Sequence, residues 1–84
     1  MQIKVMGTGC QRCLDLYGVA TRAVQMAGID AAVIKVQNVE EIRAAGVAMT
    51  PALVVDGELR CAGRIPEAAE VVSWIMTAAA RAGA

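Results

Sequence analysis

Histidine is absent from this chain, and the remaining catalytic repertoire is thin: three cysteines, one tryptophan, one tyrosine and two prolines in 84 residues. Without histidine there is no Cys-His protease, no imidazole general base and no zinc site of mixed Cys and His ligands. Three thiols cannot close a four-cysteine zinc site, and an odd number is no disulfide framework of the kind that staples small secreted domains. A reversible dithiol in a reducing compartment fits that count. Charge of neither sign is in excess, since eight acidic and eight basic side chains cancel and are scattered. Neither a basic stripe for phosphates nor an acidic tail results, so nucleic acid is not an expected partner. The apolar stretches are broken by Gly, Pro or charge well short of a membrane span, and no membrane insertion is expected. Met1-Gln2-Ile3-Lys4-Val5 lacks the basic region, apolar core and cleavage site of a secretory signal. The expected address is the cytoplasm.

What is present organises into one domain over residues 1–84, with no internal repeat and no linker. Ile3 and Val5 lie in a branched, apolar opening run that ends at Gly7-Thr8-Gly9, the pattern of a short buried strand. Leu14, Tyr17, Ala20, Val24 and Ala27 recur at helical spacing from about Arg12, and Gly28 stands where a helix C-cap belongs. Ala31 to Val36 reads as a second strand, at a distance that suits a helical crossover between parallel strands. Asn38 can cap a short helix through Ala45, with Glu40 and Glu41 at its favourable end. Ala52 to Val55 and Glu58 to Ala62 flank Asp56-Gly57, a strong hairpin signal. Pro66 suits the first turn of a last amphipathic helix that carries Val71, Trp74, Ile75 and Ala78. The order is βαβαββα.

Cys10-Gln11-Arg12-Cys13 falls at the junction of the first strand and the first helix. This spacing sets two thiols on one helical turn, close enough for a local disulfide. Cys10 meets the unpaired N–H groups and the positive dipole end of the helix, both of which favour thiolate over thiol. Cys10 is therefore the expected nucleophile and Cys13 the resolving thiol. The Arg12 cation can add to the dipole and lower the Cys10 pKa further.

Cys-x-x-Cys at that junction, Thr50-Pro51 before the third strand and Gly63 ahead of the last helix together resemble the thioredoxin-fold superfamily over essentially the whole chain. With Gly7-Thr8-Gly9, Gly46-Val47 and Gly63-Arg64-Ile65-Pro66, the pattern is similar to the small thioredoxin-like, glutaredoxin-like redox-active disulfide proteins of bacteria and archaea. The resemblance implies an α/β thioredoxin fold, with a four-stranded mixed sheet flanked by helices and a cis bond at Pro51 facing the dithiol. It also implies a thiol–disulfide oxidoreductase that binds no cofactor or metal and uses a reversible Cys10–Cys13 disulfide, with Thr50 and Pro51 receiving an extended substrate segment. Its substrates would be disulfide-containing proteins. Gln11-Arg12 is neither the Gly-Pro of typical thioredoxins nor the Pro-Tyr of many glutaredoxins. Thr50 stands where glutathione-using relatives carry valine, and their Gly-Gly-x-Asp signature is missing after Val55. A thioredoxin reductase or a thioredoxin-like protein is accordingly the expected electron donor.

Cys61 has no cysteine near it in sequence and reads as a small buried hydrophobe that alternates with Leu59. Tyr17 and Trp74 read as core or near-core, and the five methionines as packing. Two other functions share the dithiol: a redox-responsive interaction module, and a Cu(I) or metalloid carrier. The carrier follows from Met6-Gly7-Thr8-Gly9-Cys10, which superficially looks like the loop of small copper chaperones, although those have a βαββαβ order.

Overall fold

Alternation of apolar side chains along β1 (Gln2–Met6) decides how the sheet is covered, because Ile3 and Val5 point to one face and Met6 to the other. The computed structural model describes residues 1–82. After β1 come α1 (Gln11–Ala27), β2 (Ala32–Val36), α2 (Val39–Ala44), β3 (Ala52–Val55), β4 (Glu58–Ala62) and α3 (Ala68–Ala82). The four strands form one mixed sheet in the order β2-β1-β3-β4. β1 pairs parallel with β2 across the α1 crossover and antiparallel with β3, and β3 pairs antiparallel with β4.

On the first face, Ile3, Val5, Leu53 and Val55 pack with Leu16, Ala20 and Ala23 of α1 and Val71, Ile75 and Ala78 of α3. α1 and α3 also lie against each other there. The alanines of α1 let its backbone approach its neighbours closely, which suits a core built with so few aromatic side chains. On the second face Met6, Val36, Ala52 and Val54 gather around Ile42 of the short α2. All four residues of β3 are buried, as befits a central strand covered on both sides.

Three local expectations are corrected by tertiary packing. Leu14, which spacing places on the apolar face of α1, is 47% exposed; the buried stripe is Cys13, Leu16, Ala20 and Ala23. The helix is rotated so that the second thiol joins its inner face. Pro66 is not in the first turn of α3 but precedes the cap: the Glu67 carbonyl accepts from the N–H groups of Glu70 and Val71, which makes Glu67 the N-cap. A register shift at Leu53/Val54 pairs Cys61 with Leu53 and Leu59 with Val54. That bulge breaks the two-residue alternation, leaving Cys61 in the core and Leu59 in contact with solvent.

Other signals have the structure they announce. Gly28 caps α1 with φ 66° and sends its N–H to the Val24 carbonyl. The Asn38 side chain accepts from the Glu41 N–H at 3.0 Å. Asp56 and Gly57 have φ of 50° and 85°, the paired positive values that a tight two-residue hairpin requires. Tyr17 and Trp74 are partly buried against the core, with the Lys35 ammonium 4.6 Å from the Tyr17 ring centroid.

Candidate active site

Cys10 is the N-cap of α1, with extended backbone and a carbonyl that accepts from the N–H groups of Cys13 and Leu14 at 3.0 and 3.1 Å. One turn on, the helix carries Cys13 inward. The two residues therefore differ in environment although three positions apart: Cys10 is exposed and Cys13 buried, both as free thiols. Their sulfurs are 3.1 Å apart and hydrogen-bonded. Cys10 is held below the ordinary cysteine pKa, first by the Cys13 thiol donating to its sulfur and then by the Cys13 backbone N–H. Desolvation opposes this, while the Arg12 backbone N–H lowers the pKa further. These N–H groups belong to the first helical turn and point toward the Cys10 sulfur's end of the helix, where they favour the thiolate without closing a full side-chain cap bond.

Gly7, where β1 ends, supplies the space for the inner thiol. A Cβ built on Gly7 would lie 2.1 Å from the Cys13 Sγ and 3.8 Å from the Thr50 Cβ, so this backbone runs between the second cysteine and the Thr50-Pro51 segment. Its N–H continues the β1–β2 ladder to the Val36 carbonyl at 3.0 Å. The Thr50-Pro51 peptide is cis; Pro51 is fully buried and Thr50 exposed at the rim. The Pro51 carbonyl accepts from the Gly63 N–H at 2.8 Å, tying the entrance of β3 to the turn after β4. Gly63 has φ 79°, and the Met49 side chain fills the space its missing Cβ would take, with Met49 Cε 3.0 Å from that position.

Arg12 is directed by spacing toward an electrostatic role on Cys10, but its guanidinium donates from Nη2 to the Gly63 carbonyl at 3.0 Å. Of Arg12, only the backbone N–H is among the groups that lower Cys10. Gln11 donates to the Asp15 carboxylate at 2.9 Å along the outer face of α1. Beside Cys13, a small cleft is lined by Gly7, Gly9, Leu14, Lys35 and Gln37. Cys61 belongs to the core cluster with Leu53 and Val71, and burial pushes its thiol pKa up.

The resemblance sets Thr50 and Pro51 against the dithiol; in the structure Gly7 lies between Cys13 and Thr50, and Gly63 contacts both Arg12 and Pro51. Sequence reasoning passes over the spatial roles of Gly7, Gly63 and Met49. Gly7 is legible in part, as a glycine just before the dithiol, but nothing in the chain announces that Met49 covers Gly63.

A dithiol at the start of a helix, with a solvent-facing sulfur hydrogen-bonded to a buried one, has the geometry for thiol–disulfide exchange. A model of the thioredoxin domain family matches residues 1–76. A thioredoxin of Methanothermobacter thermautotrophicus is 41% identical over 71 residues, 84% of this chain and 92% of that protein. A thioredoxin of Methanocaldococcus jannaschii is 39% identical over 69 residues, 82% of this chain and 79% of that protein. The chain belongs to the thioredoxin family and is a thiol–disulfide oxidoreductase.

Proposed function

We propose that this protein reduces disulfides in protein substrates through Cys10 as nucleophile and Cys13 as resolving thiol. The observation that carries the assignment is the 3.1 Å contact between an exposed sulfur of lowered pKa and a buried one that donates to it. The Cys10 thiolate attacks one sulfur of the substrate, the substrate S–S bond breaks, and the departing thiolate takes up a proton. Cys13, whose proton is the one the first departing thiolate takes up, then attacks the Cys10 sulfur of the mixed disulfide, breaks its S–S bond and expels the second substrate sulfur as a thiolate, which is protonated from solvent. The substrate gains two electrons and the dithiol loses them, ending as a Cys10–Cys13 disulfide with a bond of about 2.05 Å. The chemistry needs no bound cofactor or metal ion, because the sulfurs carry both electrons.

Thr50 and Pro51 receive an extended segment of the substrate beside the attacked disulfide. Exposed Thr50 offers its backbone polar groups for strand-like pairing, while buried Pro51 fixes the edge they lie on. The electron donor is a thioredoxin reductase or a thioredoxin-like protein; the missing glutathione signature supports a protein dithiol over glutathione. Residues 1–84 act as one redox domain in the cytoplasm, the compartment in which a reversible dithiol stays reduced. None of the described helices is long and apolar enough to cross a membrane.

Turnover of a peptide disulfide with NADPH and thioredoxin reductase, or with glutathione and its reductase, tests the assignment. Wild-type protein should couple to the first pair, and Cys10→Ser should abolish turnover. Equal activity of wild type, Cys10→Ser and Cys13→Ser would overturn it.

A further inference from the structure

Two halves of the exchange site come from distant parts of the chain. Cys10 and Cys13 ride on α1, whereas Thr50-Pro51 leads into β3. Gly63 touches both. Its N–H holds the Pro51 carbonyl at 2.8 Å, and its own carbonyl accepts from Arg12 at 3.0 Å across 51 positions of sequence. The Met49 side chain packs onto Gly63 from the residue preceding Thr50. No carboxylate among the described residues forms an ion pair with Arg12, so its fixed partner is a neutral carbonyl.

We propose that Arg12 is a positioning residue for disulfide exchange, one that locks the dithiol turn to the Thr50-Pro51 edge through Gly63 so that a bound peptide presents its disulfide to Cys10. The inference rests on the assignment of Cys10 as nucleophile and of Thr50-Pro51 as the peptide-receiving edge. Arg12 suits this task because its planar guanidinium reaches far, stays charged and donates in a fixed direction. An extended substrate must satisfy the edge and the sulfur simultaneously, and small misplacements between them are costly. A small disulfide has no segment to seat on the edge and needs only the sulfur.

The test compares wild type with Arg12→Met on a peptide disulfide and on bis(2-hydroxyethyl) disulfide, in 0.1 M and in 1 M NaCl, with the Cys10 ionisation followed by alkylation. Arg12→Met should lose about tenfold in kcat/KM on the peptide, mostly through KM, with less than about twofold on the small disulfide, at both salt concentrations. Gly63→Ala keeps the carbonyl that Arg12 reaches but strains a φ of 79° and meets the Met49 side chain, so it should displace the acceptor and impair the peptide reaction similarly. Adding Arg12→Met to it should cost no more than Gly63→Ala alone. An equal loss on both disulfides, accompanied by a raised Cys10 pKa, would overturn the proposal in favour of an electrostatic role. A loss that vanishes in 1 M NaCl, or no loss, would overturn it as well. A wild-type protein inactive on both disulfides would instead overturn the assignment of exchange on which the proposal rests.

Discussion

At the scale of single residues, the site works because two cysteines three positions apart have opposite exposures. Cys10 keeps its sulfur in solvent at the helix start, and Cys13 donates to it from the buried face of α1. Alkylation of Cys10 should therefore follow an ionisation below that of an unperturbed cysteine, about 8.5. The sign for stability follows from the same shift: the folded-state pKa lies below the unfolded one, so this stabilisation is present above the unfolded value and is lost as pH falls through the folded value. Gly7 and Gly18 form a matched pair of tests. A methyl on Gly7 collides with the Cys13 sulfur, whereas a methyl on Gly18 meets nothing within 4 Å on the outside of α1. Gly7→Ala should cost about 1–3 kcal/mol and displace the inner thiol. Gly18→Ala should stabilise by about 0.5–1 kcal/mol by raising helix propensity. Urea unfolding of both variants checks the contrast, and equal effects would contradict it. The chemistry of the two cysteines is legible in the chain, since spacing and the helix dipole are local; the Gly7–Cys13 approach is not, because it depends on how α1 settles on the sheet.

At the scale of elements, the clearest sequence signals are those satisfied within a few residues. Gly28, Asn38 and Asp56-Gly57 each close a turn or cap from their own side chains or permitted φ values, and each does so in the structure. Asn38→Ala should cost about 1 kcal/mol, read as a lower urea midpoint, because the Glu41 N–H loses its acceptor. Leu14, Leu59 and Pro66 are less legible for a common reason. Their positions depend on the rotation of α1, on the bulge opposite Leu53/Val54 and on the cap at Glu67, all settled by neighbouring elements. The start of α3 shows how such a cap is built: the Glu70 carboxylate accepts from the Glu67 N–H at 3.2 Å and pairs with Arg64 at 3.0 Å. The Arg64 side chain first, then the Glu67 N–H, holds Glu70 below the usual carboxylate range. Its stabilisation is accordingly present above the unfolded carboxylate pKa and disappears as pH falls through the folded value. Glu70→Gln should lower the urea midpoint at pH 7, and the difference should shrink at pH 3; an unchanged gap in acid would contradict the charge-based account.

At the scale of the whole molecule, one sheet separates a large core under α1 and α3 from a smaller one under α2. The larger core is filled by Ile3, Leu16, Leu53, Val55, Val71 and Ile75, each with almost no exposed surface. A chain of this size has on the order of 4–13 kcal/mol of stability. Leu16→Ala should remove about 2–5 kcal/mol of it, enough to bring the domain close to unfolding and to take the dithiol with it, since Leu16 lies one turn beyond Cys13. The element order was readable because β1, α1 and β2 have clean periodicities and β3–β4 is a hairpin. The resemblance implies a four-stranded mixed sheet, but the order β2-β1-β3-β4 is seen only in the structure, because pairing of distant strands leaves no local mark. The central claim is that Cys10 alone attacks the substrate and Cys13 alone releases it. Mass spectrometry of Cys13→Ser after incubation with a peptide disulfide tests this directly. The account predicts one stable mixed disulfide at Cys10, absent from wild type; an adduct at Cys61, or none, would contradict it.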